Sequence, residues 1–223
     1  MNIKTFPDAA AIAAAAALRL QQYCSDTVKQ RGAFHLALAG GTTPTACYRL
    51  LSGMDMPWQQ VHIYFGDERC LPAGDPERND TMARDALLDH VPIPPPQIHS
   101  IPAELGPVEG AMQYSSLLQQ APQLDLILLG LGEDGHTASL FPDNPALDDD
   151  GSAVPVFNAP KAPPERVSMG RGYINRAREK WFLVSGAGKR EAMGQIMNGN
   201  SLPAARITAA RWLVEEASIP GRR

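Results

Sequence analysis

Apolar residues fall in short, nearly continuous runs separated by segments long enough to form helices. Such runs, with no regular polar alternation, are typical of strands buried on both faces of a sheet. The predicted strands are Ala33–Ala39, Val61–Gly66, Leu124–Leu129, Arg166–Met169, Lys180–Ser185 and, with a weaker pattern, Arg211–Val214. The predicted helices are Ala9–Leu20, Thr43–Leu51, Glu77–Asp89, Pro107–Gln120 and Gly188–Asn198. This alternation predicts an α/β fold with a mostly parallel, Rossmann-like sheet and helices on both faces.

Two proline-rich stretches, Pro92–Pro102 and Pro142–Pro164, interrupt the alternation and are predicted to be surface loops. The second contains the acidic run Asp148–Asp150, which we interpret as solvated surface. Because neither stretch separates regions of different composition, residues 1–223 are predicted to form a single domain. Ligands of parallel sheets bind beyond the carboxyl ends of the strands, so polar residues that follow a strand are the candidates for chemistry.

Composition and charge narrow the class of protein. The chain is 44% hydrophobic and 20% charged with a net charge of −4, which is ordinary for a globular protein and disfavours nucleic acid and anionic membranes as partners. An odd number of cysteines without a CxxC pair favours reduced thiols. Asp8 before the alanine-rich run predicts a capped helix instead of a secretory signal, and no apolar run has membrane-spanning length. A cytoplasmic location is expected.

The first predicted strand ends in Gly40-Gly41-Thr42-Thr43-Pro44. Two glycines allow a tight turn and close backbone approach, a threonine can cap, and proline suits the first helical position. The free N–H groups of a helix that begins there would bind phosphate. The same residues are also explained by the geometry of a strand–turn–helix joint alone.

The second strand runs into Asp67-Glu68-Arg69. Carboxylates at this position can bind hydroxyl groups, and a guanidinium can pair with an anion. Taken alone, three charges in a loop are better explained as a surface ion pair.

The segment after strand Leu124–Leu129 carries Gly130, Gly132, Asp134 and His136. Although Gly130-x-Gly132-x-x-Gly has the dinucleotide-binding spacing, acidic residues would face the pyrophosphate and a proline soon follows, so that interpretation fails. Histidine accepts protons near neutral pH, and His136 differs from the other four histidines because glycines and an acid flank it. We interpret His35, His62, His90 and His99 as structural. No two histidines have a spacing typical of zinc ligands, such as HExxH, so a zinc site is not expected.

Together and in this order, these segments resemble the 6-phosphogluconolactonase family, within the glucosamine-6-phosphate isomerase/lactonase superfamily. The matching residues are Gly40-Gly41-Thr42-Thr43-Pro44, Asp67-Glu68-Arg69, Asn79, the run from Gly130 to Pro142 (GLGEDGHTASLFP), Ile174-Asn175 and Val184-Ser-Gly-Ala-Gly-Lys189. The likeness extends over roughly residues 33–217, and the DGHTASLFP run is its most specific part.

The resemblance implies hydrolysis of 6-phospho-D-glucono-1,5-lactone to 6-phosphogluconate in the oxidative pentose phosphate pathway. It implies His136 as general base, with Asp67 and Asp134 orienting the sugar or the histidine. The residues implied for binding the phosphate or stabilising developing charge are Gly40, Gly41, Thr42, Thr43, Arg69 and Lys189. It implies neither a metal nor an organic cofactor, and the expected partner is a phosphorylated sugar lactone bound by a monomer.

Two positions depart from the family pattern. Arg78 stands where a small residue is usual, and is expected either to add a basic contact or to point into solvent. The second departure is the segment Ser168–Gly172, which leaves Arg171 as an unassigned cation near the expected site. Ser139 lacks the GxSxG context of a nucleophile, so we interpret it as structural.

Two other functions stay open at this stage. A glucosamine-6-phosphate deaminase shares the fold, but those relatives carry a further acid soon after the histidine, where this chain has Ser139-Leu-Phe-Pro142. A sugar-phosphate sensor would keep the phosphate loop but would not need Asp134 or His136, and it usually carries a DNA-binding domain, for which about 32 residues before the first strand leave little room.

Overall fold

The computed structural model, which describes residues 1–221, is built around a six-stranded parallel sheet with strand order β1-β9-β8-β5-β2-β3. Three short strands form a second, antiparallel sheet in the order β4-β7-β6. The strands are β1 Asn2–Phe6, β2 Phe34–Leu38, β3 Val61–Phe65, β4 Asp67–Arg69, β5 Leu126–Leu129, β6 Ala153–Val156, β7 Arg166–Met169, β8 Glu179–Val184 and β9 Arg211–Glu215. The predicted α/β class and parallel sheet are confirmed.

Six α-helices within the described residues flank the sheets. They are α1 Ala9–Arg31, α2 Thr42–Leu51, α3 Asn79–Ala86, α4 Pro107–Gln120, α5 Arg171–Arg176 and α6 Arg190–Met197. The first begins as predicted, because the Asp8 carboxylate accepts the Ala11 N–H at 2.7 Å, but it continues eleven residues beyond Leu20 to Arg31. It ends where Gly32 adopts the left-handed conformation with φ 82°. No helix within residues 1–221 is both long and apolar enough to cross a bilayer.

The second sheet corrects two predictions. Arg166–Met169 is a strand, as expected, but it pairs antiparallel with β4 and β6 and does not join the parallel sheet. The stretch Pro142–Pro164, predicted to be loop throughout, contains β6. Proline lowers the strand signal of this segment, yet Pro155 is tolerated because β6 is an edge strand. The sequence also gave no prediction for β1, an edge strand of mixed polarity.

Gly66 connects the two sheets. Its N–H donates to the Leu38 carbonyl of β2 at 2.9 Å, and its carbonyl accepts the Met169 N–H of β7 at 2.8 Å. The chain therefore passes directly from β3 of the large sheet into β4 of the small one. This junction places β4 and β7 beside the carboxyl ends of β2 and β5.

Candidate active site

A cleft of about 350 Å³ lies at the carboxyl ends of β2, β5 and β8. Its lining includes every predicted site residue except Asp134: Gly40, Gly41, Thr42, Thr43, Asp67, Arg69, His136 and Lys189. Four segments that are distant in sequence thus meet at one edge of the sheet. A larger groove of about 760 Å³ opens at the amino-terminal ends of β1, β8 and β9, but its lining contains no histidine or lysine.

Asp134 lies directly behind His136 and orients its ring. The two side chains approach to 2.5 Å between Oδ1 and Nδ1, and the same oxygen accepts the His136 backbone N–H at 3.2 Å. Burial alone would raise the pKa of Asp134, but its hydrogen bonds and ionic interaction with His136 prevail and lower it to about 2. A carboxylate only accepts hydrogen bonds, so Nδ1 is the donor in this contact, and Nε2 is the ring nitrogen left to take part in proton transfer.

Close packing fixes this imidazole in place. A Cβ atom added at Gly132 would lie 2.0 Å from His136 Nδ1, so only glycine allows the ring to approach the backbone here. On another side, the Phe141 ring packs with its centroid 4.4 Å from that of the imidazole. The glycine pattern that suggests a dinucleotide loop therefore serves to admit a histidine.

The N-terminus of α2 opens into the cleft. Gly41 takes φ 104°, which favours glycine, and no side chain caps the helix, so the first N–H groups have no capping partner within the helix. Thr43 is buried, and its hydroxyl lies 2.6 Å from that of Ser185 at the end of β8. This arrangement can receive an anion.

The Asp67 carboxylate lines the opposite wall and is held by two neutral donors. Ser139 donates to its Oδ2 at 2.6 Å, and the Asn79 amide donates to its Oδ1 at 3.2 Å and to its backbone carbonyl at 2.8 Å. Asn79 in turn packs so tightly against Gly40 that a Cβ there would meet its Oδ1 at 2.1 Å. Ser139 is thus a buried hydrogen-bond donor that holds a cleft carboxylate, which agrees with its interpretation as a structural residue and not a nucleophile.

Four cations surround the cleft. Arg69 and Lys189 were predicted, whereas Lys161 and Arg166 were not. The Arg69 guanidinium donates to the Glu77 carbonyl, but its buried Nε has no hydrogen-bond partner. Burial lowers the pKa of Lys189. An arginine at the start of an otherwise apolar strand is a signal that could have identified Arg166, since buried arginines are rare without a role.

Glu68 and Arg78 support the cleft from behind. Glu68 is fully buried and accepts the backbone N–H groups of Arg69, Asn79 and Asp80 at 2.7–2.9 Å. Burial raises the pKa of Glu68 to about 7. Arg78, only 2% exposed, bonds to Asp80 and Glu104, so the alternative of a solvent-directed side chain is wrong.

Arg171 lies away from the cleft. Its guanidinium donates to the Leu147 carbonyl at 3.2 Å and lies 3.8 Å from the Asp148 carboxylate. The expectation of a cation near the site is therefore wrong for this residue. Among residues 1–221, no group of three or more histidine, cysteine or acidic side chains is arranged to hold a metal ion.

A parallel α/β sheet whose carboxyl edge carries an acid-oriented histidine, an open helix N-terminus and several cations is the arrangement of an enzyme for a small anionic substrate. The comparison with known proteins identifies which one. The chain belongs to the family described as glucosamine-6-phosphate isomerases/6-phosphogluconolactonase, whose model matches residues 7–215.

Individual relatives agree with this assignment. The chain is 38% identical to the 6-phosphogluconolactonase of Mycobacterium tuberculosis, over 96% of this chain and 95% of the relative. Its structure is similar to that of 6-phosphogluconolactonase from Leishmania guyanensis, with a TM-score of 0.87, 26% identity and coverage of 99% and 98% of the two chains. A monomeric glucosamine-6-phosphate deaminase shares the fold, with a TM-score of 0.84 at 21% identity and 98% coverage of both chains.

Proposed function

We propose that this protein hydrolyses 6-phospho-D-glucono-1,5-lactone to 6-phospho-D-gluconate, a step of the oxidative pentose phosphate pathway. The observation that carries the proposal is the Asp134–His136 pair, whose imidazole faces a cleft lined by cations and an open helix N-terminus. The names of the relatives support the same substrate.

The histidine is the general base in this mechanism. His136 Nε2 accepts a proton from a water molecule as the water oxygen attacks the lactone carbonyl carbon. The tetrahedral intermediate then collapses, its bond to the ring oxygen breaks, and the imidazolium returns the proton to the departing alkoxide. The immediate products are a carboxylic acid and a free hydroxyl group. The acid then releases its proton to the solvent and becomes a carboxylate, so atoms and charge balance. Asp134 keeps Nδ1 protonated and stabilises the imidazolium that forms transiently.

The remaining polar groups bind and orient the substrate. The backbone N–H groups of Gly41–Thr43, together with Arg69 and Lys189, hold the phosphate or stabilise the oxyanion, since charge-assisted hydrogen bonds are about twice as strong as neutral ones. Asp67 contacts Ser139 and Asn79 and forms no hydrogen bond with the histidine. It is therefore assigned to the sugar hydroxyl groups and Asp134 to the imidazole.

Replacement of His136 by alanine tests the assignment of the base. General-base catalysis typically contributes about 10²–10⁴-fold, so kcat should fall by that factor when corrected for spontaneous lactone hydrolysis. Calorimetric affinity for 6-phosphogluconate should stay within severalfold of the parent. A variant that hydrolyses the lactone at the parental rate would remove His136 from the mechanism, and ammonia release from glucosamine 6-phosphate without lactonase activity would favour a deaminase.

A further inference from the structure

One wall of the cleft is formed by a short loop, residues 159–164, which we call the clamp loop. The Ala159 N–H donates to the Pro164 carbonyl at 2.9 Å and closes the loop on itself. Lys161 and Ala162 of this loop line the cleft. The clamp loop lies between β6 and β7 of the small sheet, and its residues Ala162 and Pro163 line a second cavity together with Thr42 of α2.

Arg166 fixes the clamp loop through its backbone. Its Nη2 donates to the carbonyls of Lys161 and Ala162 at 3.0 and 3.1 Å, and its Nε donates to that of Pro163 at 3.1 Å. The rigid fork of a guanidinium suits such a set of acceptors, whereas an ammonium has no fixed fork. Because Arg166 is only 5% exposed, the position of this loop is set by a buried side chain and not by the solvent.

The same guanidinium also packs toward the proposed base. It lies 5.6 Å from the centroid of the Phe141 ring, and that ring packs against His136. One side chain thus contacts both the clamp loop and the aromatic wall of the catalytic histidine. The loop is therefore held in a fixed relation to the reacting centre.

The cations that line the cleft can bind an anion between them. Burial is the main cause that lowers the pKa of Lys189, and the like charge of Lys161 lowers it further, whereas the carboxylates of Glu133 and Asp134 act in the opposite direction. Neither ammonium forms an ion pair within residues 1–221. Arg69 adds a buried Nε with no hydrogen-bond partner. Because no carboxylate in the described part of the chain lies within ion-pair distance of either ammonium, a dianion bound between Lys161 and Lys189 would gain a favourable interaction with both.

We propose that Lys161 is a specificity-determining residue for the phosphate of the substrate, and that Arg166 is the positioning residue that presents it. The inference rests on the proposed function, since it assigns one more cation to the phosphate of the phospholactone. Lys161 binds that group opposite Lys189, and Arg166 limits the freedom of the backbone that carries it. The ordering of the loop is then complete before the substrate arrives, which reduces the entropy lost on binding.

The decisive measurement compares two lactones. The quantity compared is the ratio of kcat/KM with 6-phosphogluconolactone to kcat/KM with unphosphorylated glucono-1,5-lactone. This ratio should fall about five- to tenfold in Lys161→Met, because the variant loses one partly solvated charge contact with the phosphate. Lys189→Met should lower the same ratio at least as much. Lys29→Met, which removes an exposed lysine at the end of α1, should leave the ratio within twofold of the parent. A parental ratio in Lys161→Met overturns the proposal.

A second probe separates this inference from the proposed function. Inorganic phosphate should bind to the parent and about five- to tenfold more weakly to Lys161→Met. If the parent does not hydrolyse the phospholactone, the proposed function fails, yet phosphate affinity still decides the role of Lys161. If the parent hydrolyses it while Lys161→Met keeps both the parental ratio and the parental phosphate affinity, only the inference fails.

Arg166→Lys tests the positioning role. This variant should lower the same substrate ratio, and combining it with Lys161→Met should lower the ratio little further, because Arg166 acts through Lys161. Effects that multiply in the double variant, or an equal loss on both lactones, would overturn the positioning role. Thermal unfolding checks that Arg166→Lys is folded. If that variant does not fold, Lys161→Met still tests the charge contact, because Lys161 is exposed and its replacement should not disturb the fold.

Discussion

Replacing Asp134 with asparagine tests whether the negative charge of this side chain, apart from its shape, supports the proposed base. The substitution preserves size and hydrogen-bonding capacity but removes a carboxylate that approaches His136 Nδ1 to 2.5 Å. The interaction is strong, since the pKa of Asp134 falls from the ordinary 3.8 to about 2 despite the opposing effect of burial.

The expected magnitude follows from that change in pKa. At about 1.36 kcal/mol per pKa unit, the interaction corresponds to roughly 2 kcal/mol before screening. The Asp134 side chain is 35% exposed, so solvent screening reduces this to about 1–2 kcal/mol, or about 5–30-fold in rate. An asparagine that turns its NH₂ group toward Nδ1 would also leave the imidazole proton on Nε2, where it prevents that nitrogen from acting as a base. In a Ser-His-Asp triad the equivalent substitution lowers kcat by about 10⁴-fold. We therefore expect kcat to fall at least about tenfold, with a small change in KM.

The assay is steady-state lactone hydrolysis corrected for the spontaneous reaction. Asp143→Asn is a matched control, because Asp143 is exposed, does not line the cleft and has a left-handed φ of 56° that asparagine tolerates. The reasoning is refuted if Asp134→Asn keeps kcat within twofold of the parent. It is refuted equally if Asp143→Asn loses as much activity.

Three further predictions concern other parts of the molecule. Gly132→Ala should lower kcat more than about 10²-fold in the same assay, because its methyl group would displace the His136 ring, and parental activity would contradict the packing argument. Ser139→Ala should lower kcat/KM about tenfold by leaving Asp67 without its 2.6 Å donor, whereas Ser116→Ala on the exposed face of α4 should have no effect. Burial lowers the pKa of His35 to about 4, so the folded protein is more stable when this imidazole is neutral than when it is protonated. The contribution of His35 to the free energy of unfolding is then fully present above about pH 6.5 and is lost as the pH falls toward 4, by up to about 3 kcal/mol. Urea unfolding at several pH values measures this loss, and a free energy of unfolding that does not change over that range would contradict it.

The local chemistry of the site could be predicted from sequence because it follows strand ends. The turn at Gly40–Pro44, the charges at Asp67–Arg69 and the histidine after β5 each stand at the end of an apolar run. In a parallel sheet those ends share one edge, so residues far apart in the chain were expected together. The cleft confirms that expectation of proximity, while the individual roles stay predictions.

Two of the strands that the sequence did not predict, β1 and β6, have a common physical feature. β6 contains a proline and β1 is of mixed polarity, so neither has the apolar run by which buried strands are recognised. Both are edge strands, whose position depends on the partner strand more than on their own composition. Arg166–Met169 has the apolar pattern but joins the other sheet, because the same composition suits parallel and antiparallel pairing.

The sequence alone determined the α/β class, the parallel sheet and the residues available for chemistry, since these depend on hydrophobic periodicity and on residues adjacent in the chain. Only the tertiary structure decided which charges face the cleft. Arg78 and Arg171 are both arginines in polar segments, yet one is buried in an ion-pair network and the other bonds a distant carbonyl, while Arg166 and Lys161 reach the site. The direction of a long side chain depends on acceptors brought near it by folding, and those acceptors are not its neighbours in sequence.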